Sequence, residues 1–571
     1  MKYENLYEVR KISNLKEMLN SSAEIYGDKA AFLVKTKESP DYVPVSYKKF
    51  KADVDALGTA LIQLGLKGKK VAIIGENRYE WSVAYLATVN GAGIVVPLDK
   101  ELPQNEISSL ITRSEADAII YSSAQASKVE VLIGKSSTRF YINMDAEKSE
   151  GPITSFALLK ESGAKALAEG NTEFVNAKID DHAMNILLFT SGTTDKSKAV
   201  MLSHRNVSEN LMNMCSMLYI DDKDVFLSVL PLHHTYECTC GFLCQIYRGC
   251  TIAYCEGLRH IVKNLKESKT TVMNGVPLVF ESIYKQLMNQ VAKKGSMGKL
   301  KMGIAISNVL RKVGVDIRGK LFAEIHEGLG GHMRLFISGA AAIDPLVSKG
   351  FRDIGIKLVQ GYGLTECAPI VALNRDILYK DDAAGIPLPN LEVAIDSPDA
   401  DGIGEIKAKG SSVMLGYYQD PEATAKVIKD GWFYTGDQGF IDSDNFVHIT
   451  GRKKNVIVTK NGKNIYPEEI ETLLNRSPYI KESLVYGKST DDGDTAVCAV
   501  IVPDHEKIEE DLKNGLQLGA NVEEIIGKEV KRINKELVTY KYIRDFGLRE
   551  EEFIKTTTRK IKRYQELKDQ K

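Results

Sequence analysis

The sequence lacks the features that mark membrane-spanning, secreted and nucleic-acid-binding proteins. No uninterrupted apolar run reaches the roughly 18 residues that suggest a spanning helix. The charged N-terminal stretch Met1–Leu19 has no apolar core of the kind found in signal peptides. Lys and Arg number 75 against 76 Asp and Glu, so no overall positive field attracts nucleic acid. We expect a cytoplasmic protein without nucleic-acid partners or an integral membrane segment, while peripheral membrane contact stays open.

Cysteine is scarce except in one region. The chain has eight cysteines, and five of them follow His233 and His234 within a short stretch: Cys238, Cys240, Cys244, Cys250 and Cys255. A metal site is one interpretation of this cluster. The run contains no C-x2-C pair and does not match the usual zinc spacings, whereas thiols often pack in cores as small hydrophobic groups. Buried reduced thiols are therefore the favoured interpretation.

The chain is too long for one compact core, because 571 residues correspond to roughly three or four units of about 150 residues. Short apolar runs alternate with amphipathic stretches, which predicts parallel sheets covered by crossover helices. The predicted strands are Lys70–Ile74, Gly93–Leu98, Ala118–Tyr121, Thr271–Asn274, Met333–Ser338 and Ile356–Val359.

The composition changes after about residue 383, where Gly and Pro become frequent and the predicted strand segments, such as Gly404–Lys409, are short. This change predicts a twisted antiparallel region. The residues after Gly451–Val458 alternate strands and helices again and suffice for a small domain. We predict an α/β protein with domains at 1–453 and 454–571 and a boundary near Lys454.

One loop combines hydroxyls, a glycine and a lysine. Thr190-Ser-Gly-Thr-Thr194 follows an apolar run and precedes Lys198. Hydroxyl and backbone N–H donors can enclose phosphate oxygens, and a lysine supplies positive charge. Taken alone, the loop is equally well explained as a polar turn.

Further motifs follow in order along the chain: Ser338–Ala342, Tyr362–Glu366, Tyr434–Asp437, Gly451–Arg452 and Lys555–Arg563. Together with the hydroxyl loop they resemble the motif series of the AMP-forming acyl-CoA synthetase superfamily, which includes peptide-synthetase adenylation domains and firefly luciferase. The resemblance covers nearly the whole chain. It implies a large N-terminal domain of two doubly wound sheets plus a twisted antiparallel region, and a small mobile α+β C-terminal domain.

The resemblance also implies a nucleotide site. According to the resemblance, Tyr362 stacks on adenine opposite Gly339, Ala340 and Ala341. Asp437 and Arg452 bind the ribose. Glu366 holds Mg²⁺, an ion that prefers oxygen ligands. The residues that surround the triphosphate or complete the nucleotide site are Thr190, Ser191, Gly192, Thr193, Thr194, Lys198, Gly363 and Thr365. Each has a plainer alternative, such as a turn, a core tyrosine or a solvated loop carboxylate.

The same resemblance implies roles for C-terminal residues. Lys560 corresponds to the catalytic lysine that reaches the α-phosphate, Lys454 to the hinge, and Gly462 to the small residue lining the pantetheine passage. The alternative for the basic run around Lys560 is a surface tail that contacts nucleic acid or lipid head groups. Arg559 replaces a usual glycine here, which leaves the geometry of that loop open.

The implied reaction joins a carboxylic acid to CoA through an acyl adenylate, with release of pyrophosphate and AMP. His234 occupies the carboxylate gate position, although it could instead be a hydrogen-bonded core histidine. The segments Pro231–Glu237 and Thr271–Phe280 look closest to the medium- and long-chain fatty acid branch. Two alternatives are transfer of the acyl group to a carrier protein and a catalytically impaired nucleotide-binding scaffold.

The hydroxyl loop departs from the family pattern at Asp195, Ser197 and Ala199, which replace a glycine, a proline and a glycine. Aspartate tolerates positive φ better than most residues, so the backbone shape can survive. Its charge would repel a triphosphate unless a cation lay between them. We predict that Asp195 points outward or contacts a cation, such as Lys196 or one on the small domain.

Overall fold

The computed structural model describes residues 3–36, 39–190, 197–460, 463–490, 495–556 and 560–568. The strands are β1 (Ala30–Val34), β2 (Val43–Ser46), β3 (Lys69–Ile74), β4 (Gly93–Pro97), β5 (Ala118–Tyr121), β6 (Phe140–Asn143), β7 (Ile153–Ser155), β8 (Met184–Thr190), β9 (Lys198–Ser203), β10 (Val225–Ser228), β11 (Thr251–Tyr254), β12 (Val272–Gly275), β13 (Leu335–Ser338), β14 (Lys357–Gly363), β15 (Ile370–Leu373), β16 (Ile386–Pro387), β17 (Leu391–Asp396), β18 (Gly404–Gly410), β19 (Gly416–Tyr417), β20 (Ile428–Lys429), β21 (Trp432–Ile441), β22 (Val447–Arg452), β23 (Ile457–Val458), β24 (Asn464–Ile465), β25 (Ile480–Ser489), β26 (Thr495–Pro503) and β27 (Ile543–Leu548).

The helices are α1 (Leu15–Tyr26), α2 (Tyr47–Gln63), α3 (Tyr79–Ala87), α4 (Gln104–Ser114), α5 (Ala126–Val129), α6 (Phe156–Ala168), α7 (His204–Met217), α8 (Cys244–Arg248), α9 (Ile261–Ser268), α10 (Pro277–Lys293), α11 (Met297–Lys312), α12 (Arg318–Leu321), α13 (Ala323–Gly328), α14 (Pro345–Asp353), α15 (Pro421–Val427), α16 (Pro467–Leu474), α17 (His505–Lys513), α18 (Val522–Asn534) and α19 (Arg563–Glu566). No helix within the described ranges is both long enough and apolar enough to cross a bilayer.

Two large sheets form the first of two compact units, which comprises Met1–Val393 and Ala408–Phe433. One sheet has the order β19-β9-β8-β4-β3-β5-β6-β7, and the other has the order β16-β15-β14-β13-β12-β10-β11-β1-β2. Their central strands run parallel, and antiparallel strands lie at the ends. Strands such as β5 and β13 are buried along their whole length, as expected for parallel sheets covered on both faces.

The second unit comprises Ala394–Lys407 and Tyr434–Lys571. Its core lies between the sheet β25-β26-β27 and the helices α16 and α18, with Ile470, Ile526 and Ile501 fully buried. A further sheet has the order β17-β18-β21-β20, with β22 paired antiparallel to β21. The predicted α/β class is confirmed. The predicted boundary at Lys454 falls within the second unit, and a hinge there stays a prediction.

Candidate active site

The predicted phosphate loop joins the two strands of an antiparallel hairpin. β8 ends at Thr190 and β9 begins at Lys198, and the strand register pairs these two residues. The Thr190 hydroxyl donates a hydrogen bond to the Lys198 carbonyl at 3.4 Å. Several predicted residues lie outside the described part of the chain, and their phosphate contacts stay predictions: Ser191, Gly192, Thr193, Thr194, Asp195 and Lys196.

An arginine absent from the sequence prediction holds one end of this loop. Arg113 of α4 donates from Nη2 to the Ser197 carbonyl at 2.7 Å. Its guanidinium carbon lies 5.4 Å from the centroid of the Phe189 ring. The two bonded residues are 84 positions apart, so no local pattern reveals their contact. Arg113 supplies a permanent cation close to the loop that contains Asp195.

Lys198 and Glu366 are connected through Tyr417, another residue that sequence reasoning missed. The Lys198 ammonium lies 4.5 Å from the centroid of the Tyr417 ring, a cation–π distance. The Tyr417 hydroxyl donates to Glu366 Oε1 at 2.9 Å. Burial, followed by the neighbouring Glu366, raises the pKa of Tyr417, so the hydroxyl keeps its proton and remains a donor. The predicted phosphate lysine and the predicted magnesium ligand therefore belong to one cluster.

Two buried asparagines of α7 position the backbone around this cluster. Ser203 begins the helix with a capping box, in which its hydroxyl accepts from the Asn206 N–H. Asn206 Nδ2 donates to the carbonyls of Ser411 and Val413 at 2.8 and 2.9 Å. Asn210 Nδ2 donates to the Cys367 and Ile370 carbonyls at 3.1 and 2.8 Å. One helix thereby orients both the segment after Glu366 and the segment before Tyr417.

The segment after β13 begins with a glycine that has no room for a side chain. Gly339 follows the strand, and a Cβ at this position would lie 2.9 Å from the Tyr236 ring. The Tyr236 hydroxyl is fixed by donation to the Ile337 carbonyl at 2.8 Å. Ala340 adopts a φ of 71°, an unusual value for a residue other than glycine, and Ala341 is exposed. The predicted adenine-side residues thus lie at the C-terminal end of β13, the edge where ligands of α/β sheets bind.

Tyr362 and Gly363 end the neighbouring strand, β14. Tyr362 is half-buried and pairs with Ala372 of β15. A Cβ at Gly363 would lie 2.2 Å from the Pro369 carbonyl oxygen, so the strand can turn here only with glycine. β13 and β14 are parallel neighbours, and their C-terminal ends bring the glycine–alanine segment and the tyrosine to the same sheet edge.

The residue after His234, Thr235, contacts the segment that follows β14. The hydroxyls of Thr235 and Thr365 are 3.0 Å apart. His234 Nδ1 accepts the Tyr236 N–H at 3.2 Å, which leaves the imidazole proton of the neutral form on Nε2. His233 Nε2 lies 3.6 Å from Asp99 Oδ2, and burial lowers the pKa of this imidazole. His234 is half-buried, which is compatible with either a gate or a structural histidine.

In the second unit, the two predicted ribose residues bind each other. Arg452 Nε lies 2.8 Å from Asp437 Oδ1 across the β21–β22 pair. Arg452 Nη1 also donates to the Thr435 carbonyl at 3.2 Å, and Asp437 is buried. A carboxylate has several lone pairs, so it can accept hydrogen bonds from more than one donor, and ribose binding by this pair stays a prediction.

Lys560 lies on a narrow hairpin in the second unit. Lys555 and Ile561 form an isolated antiparallel bridge, and the Thr556 N–H donates to the Lys560 carbonyl at 2.8 Å. Lys560 is exposed as a residue, yet crowding by surrounding protein atoms and then the Arg452 guanidinium lower the pKa of its ammonium to about 8, against the opposing effect of Asp437. Arg559 lies outside the described residues, so its effect on loop geometry stays open.

Ion pairs anchor both ends of this hairpin, contrary to the alternative of a solvated basic tail. Lys555 pairs with Glu482, and both side chains are nearly buried. Arg563 pairs with Glu471 and donates from Nη1 to the Val485 carbonyl at 2.8 Å. Burial raises the pKa of Glu471 to about 7, while Arg563 acts in the opposite direction. At least two cations of this basic run, Lys555 and Arg563, therefore make structural ion pairs.

The predicted hinge residue lies beside these cations. Desolvation, then Arg452 and Arg563, lower the pKa of the Lys454 ammonium to about 8. Its neighbour Lys453 lies 2.7 Å from Glu405. Gly462, the predicted pantetheine residue, lies outside the described residues.

The cysteine cluster consists of free thiols that are buried, apart from the half-buried Cys255. Cys215 and Cys244 have their sulfur atoms 3.3 Å apart. Within the described ranges, no group of three or more His, Cys, Asp or Glu side chains is arranged to hold a metal ion. The candidate magnesium ligand Glu366 is a single carboxylate, and Mg²⁺ in nucleotide sites commonly uses one or two carboxylates with phosphate oxygens and water. The residues present therefore fit an ion that arrives with a triphosphate.

Comparison with known proteins decides the family. The model of the AMP-binding enzyme family matches residues 19–418. The chain belongs to the AMP-binding enzymes. This membership confirms the superfamily that the motifs predicted and the class of AMP-forming acid–thiol ligase. The roles of individual residues within this AMP-binding enzyme stay predictions.

Curated relatives of this AMP-binding enzyme include the long-chain-fatty-acid–CoA ligase of Salmonella typhimurium, which is 28% identical over 86% of this chain and 85% of its own length. The human long-chain-fatty-acid–CoA ligase 1 is 28% identical over 83% of this chain and 71% of its own. The chloroplastic long-chain-fatty-acid–[acyl-carrier-protein] ligase AEE15 of Arabidopsis thaliana is 27% identical over 86% of this chain and 76% of its own length.

Solved structures show the same fold across almost the whole chain. The anthranilate CoA ligase AuaEII, in complex with anthranoyl-AMP, aligns with a TM-score of 0.77 at 17% identity over 98% of this chain and 96% of its own. ATP-bound MatB from Rhodopseudomonas palustris aligns with a TM-score of 0.75 at 24% identity over 98% and 99%. At these identities the likeness concerns the fold alone.

Proposed function

We propose that this AMP-binding enzyme activates a medium- or long-chain fatty acid as an acyl adenylate and transfers the acyl group to CoA. The observation that carries the proposal is the similarity, over more than four-fifths of the chain, to relatives named long-chain-fatty-acid–CoA ligases. The cluster of Lys198, Tyr417 and Glu366 supports nucleotide use, because it combines a cation and a carboxylate at the base of the predicted phosphate loop.

In the proposed first step, a carboxylate oxygen of the acid attacks the α-phosphorus of ATP. The bond from that phosphorus to the bridging oxygen breaks, and pyrophosphate leaves. Lys198, Lys560 and the loop hydroxyls hold the phosphate oxygens and neutralise their charge. A magnesium ion held by Glu366 and the triphosphate would stabilise further negative charge.

In the proposed second step, the CoA thiolate attacks the acyl carbon, the bond to the adenylate oxygen breaks, and AMP leaves. Positioning contributes most of the rate in both steps, because the protein forms no covalent bond with the substrate. We propose that residues near Lys454 allow the C-terminal region to exchange Lys560 for the thiol passage at Gly462 between the steps. The predicted cytoplasmic location stays a prediction.

The test is a series of fatty acids of increasing chain length, assayed for ATP- and CoA-dependent AMP formation. We expect the highest kcat/KM with medium or long chains. Lys560→Ala should reduce acid-dependent pyrophosphate exchange by at least about a hundredfold, the scale of losing one charge-stabilising group. Lys568→Ala, near the same terminus, serves as the control. Equal exchange rates in Lys560→Ala and wild type would refute the role of Lys560.

A carrier protein is the second candidate acceptor, and the relative AEE15, named as an acyl-carrier-protein ligase, favours testing it. Presenting CoA and a phosphopantetheinylated carrier protein at equal concentration distinguishes the two acceptors. Faster acyl transfer to the carrier would replace CoA in the proposal. ATP binding without acid-dependent pyrophosphate exchange would instead support the impaired scaffold.

A further inference from the structure

Helix α11 exposes a stripe of apolar side chains. Val313 is 74% exposed, Val309 64% and Met302 61%, and these are the three most exposed large hydrophobic residues in the described part of the chain. Ile306 is 49% exposed. Three of the four lie on α11 and Val313 caps its C-terminal end; we call these four residues the α11 stripe. Large hydrophobic residues that are exposed singly are ordinary, whereas four in one row mark an interaction surface.

The spacing aligns the stripe along one side of the helix. Met302, Ile306 and Val309 follow at i, i+4 and i+7, and at about 100° per residue they fall within a sector of roughly 60°. Val313 comes directly after the last helical residue, Lys312, as the C-cap. The other side of α11 is anchored, because Leu300, Gly303 and Ser307 are buried. Leu300 belongs to the hydrophobic core that also contains Phe280 and Phe322. The stripe is therefore a fixed outer surface, and its exposure does not come from a loosely packed helix.

The segment that contains the stripe is rich in basic residues, of which Lys294 pairs with Glu324 and Arg318 with Asp316. Between positions 293 and 320 the chain has a single acidic residue, Asp316, and eight basic residues: Lys293, Lys294, Lys299, Lys301, Arg311, Lys312, Arg318 and Lys320. The segment therefore carries a net charge of +7, whereas the whole chain carries −1. Lys299 and Lys301 flank one end of the stripe, and Arg311 and Lys312 flank the other. All four are exposed.

We propose that this surface binds a lipid bilayer that contains anionic phospholipids. A helix that lies in the membrane interface buries its apolar side at the boundary of the acyl chains and directs cations to the headgroup phosphates. α11 has 16 residues, fewer than the roughly 20 of a spanning helix, so it would lie on the membrane without crossing it.

Charge distinguishes this partner from others. A second copy of the chain that docked through the same face would bring two segments of +7 together, which is unfavourable. Nucleic acid would satisfy the cations but would leave the apolar stripe exposed. A bilayer with anionic headgroups matches both features at once, and the proposal does not depend on which acid or acceptor the enzyme uses.

The experiment is co-sedimentation of the full chain with vesicles of phosphatidylcholine, with and without phosphatidylglycerol. We expect binding to the anionic vesicles that weakens with added salt, and little binding to phosphatidylcholine alone. The double variant Met302→Ser/Val309→Ser should bind the anionic vesicles at least about tenfold more weakly. Ile25→Ser/Leu158→Ser removes two exposed residues elsewhere on the same unit and should bind like wild type.

A variant with fewer lysines tests whether the positive charge beside the stripe contributes to vesicle binding. Lys299→Gln/Lys301→Gln/Lys312→Gln should lose binding to anionic vesicles, whereas the matched control Lys48→Gln/Lys165→Gln/Lys513→Gln should retain it. Circular dichroism and the melting temperature verify that the variants fold. Absence of vesicle binding by wild type, or equal binding by the stripe variant, would overturn the proposal. A different outcome is that the wild type forms a dimer in sedimentation velocity and binds no vesicles. If only the stripe variant then abolished the dimer, the partner of this surface would be a second copy of the chain, and the membrane proposal would be overturned.

Discussion

Tyr417 shows how a single residue can hold two oppositely charged side chains without joining them. Its ring faces the Lys198 ammonium and its hydroxyl binds Glu366, so the cation and the carboxylate are kept apart. A direct Lys–Glu pair would neutralise both groups before a nucleotide arrived. In the proposed mechanism, the ring thereby keeps the cation available for phosphate and the carboxylate available for a metal ion.

Substitutions at Tyr417 should separate these two contributions. Tyr417→Phe keeps the ring and removes the bond to Glu366, so we expect a weaker apparent affinity for Mg²⁺, by roughly tenfold, in pyrophosphate exchange. Tyr417→Leu also removes the cation–π contact and should lose further activity. Tyr418→Phe is the control, because the Tyr418 hydroxyl binds Glu115 instead. An unchanged Mg²⁺ dependence in Tyr417→Phe would contradict this role.

Glu237 is a buried carboxyl three positions after His234. Ser228 donates to its Oε1 at 2.6 Å, and its Oε2 has no hydrogen-bond partner among the described residues. Burial raises its pKa from 4.5 to about 8. Because the folded state holds this proton more tightly than the unfolded state, the associated stability is complete below about pH 4.5 and is lost as the pH rises through about 8.

Glu237→Gln should remove this pH dependence. At pH 8 we expect the variant to be more stable than wild type, on the order of 1–3 kcal/mol, because no buried carboxyl has to ionise. Melting temperatures measured from pH 5 to about 8.5 would test this. Glu324→Gln, at a side chain that is 78% exposed, should leave the profile unchanged. Parallel profiles for wild type and Glu237→Gln would refute the assignment.

At the level of elements, the sequence predicted the strands well and the long-range contacts poorly. β3, β4 and β5 match their predicted ranges within one residue, since continuous apolar runs flanked by polar residues are a strong signal. β14 extends past its predicted end at Val359 to Gly363, because β15 supplies hydrogen-bond partners to a segment without an apolar pattern.

The missed residues share a physical reason. Arg113, Asn206, Asn210 and Tyr417 act on residues that are distant in sequence, and their types are common on any surface. For the same reason, a solvated basic tail near the C-terminus stayed open as an alternative at the level of the sequence. The nearly buried carboxylates that pair with Lys555 and Arg563, Glu482 and Glu471, lie more than 70 positions earlier.

The anchored hairpin that carries Lys560 makes its own prediction. Glu482→Gln removes the nearly buried carboxylate partner of Lys555 and leaves only the more exposed Glu552, and breaking such a nearly buried contact should cost about 1–3 kcal/mol. We expect faster hydrogen exchange in residues 554–562 and a reduced adenylation rate. Glu509→Gln, in an exposed helical pair, is the control. Unchanged exchange in the hairpin would show that the anchor is dispensable.

For the whole molecule, each of the two units has its own hydrophobic core. One core of the first unit includes Leu265 and Phe336, and the core of the second includes Ile470 and Ile526. Chains with separate cores commonly unfold in more than one step. We expect calorimetry to resolve at least two transitions.

Core substitutions assign these transitions. Ile526→Ala should destabilise the second unit by about 2–5 kcal/mol and lower only one transition. Leu265→Ala should lower the other by a similar amount. If both variants shift a single common transition, the two cores unfold as one cooperative system.

The charge on the α11 segment also determines how the protein behaves during purification. Because the segment carries +7 in a chain of −1, the remaining residues carry −8. A chain with a sequence pI near 6.8 would ordinarily pass through a cation exchanger at neutral pH. We expect this protein to be retained, because the resin can bind the basic α11 segment even though the net charge of the whole chain is negative. Its elution salt would then report how concentrated that charge is, before any lipid is added.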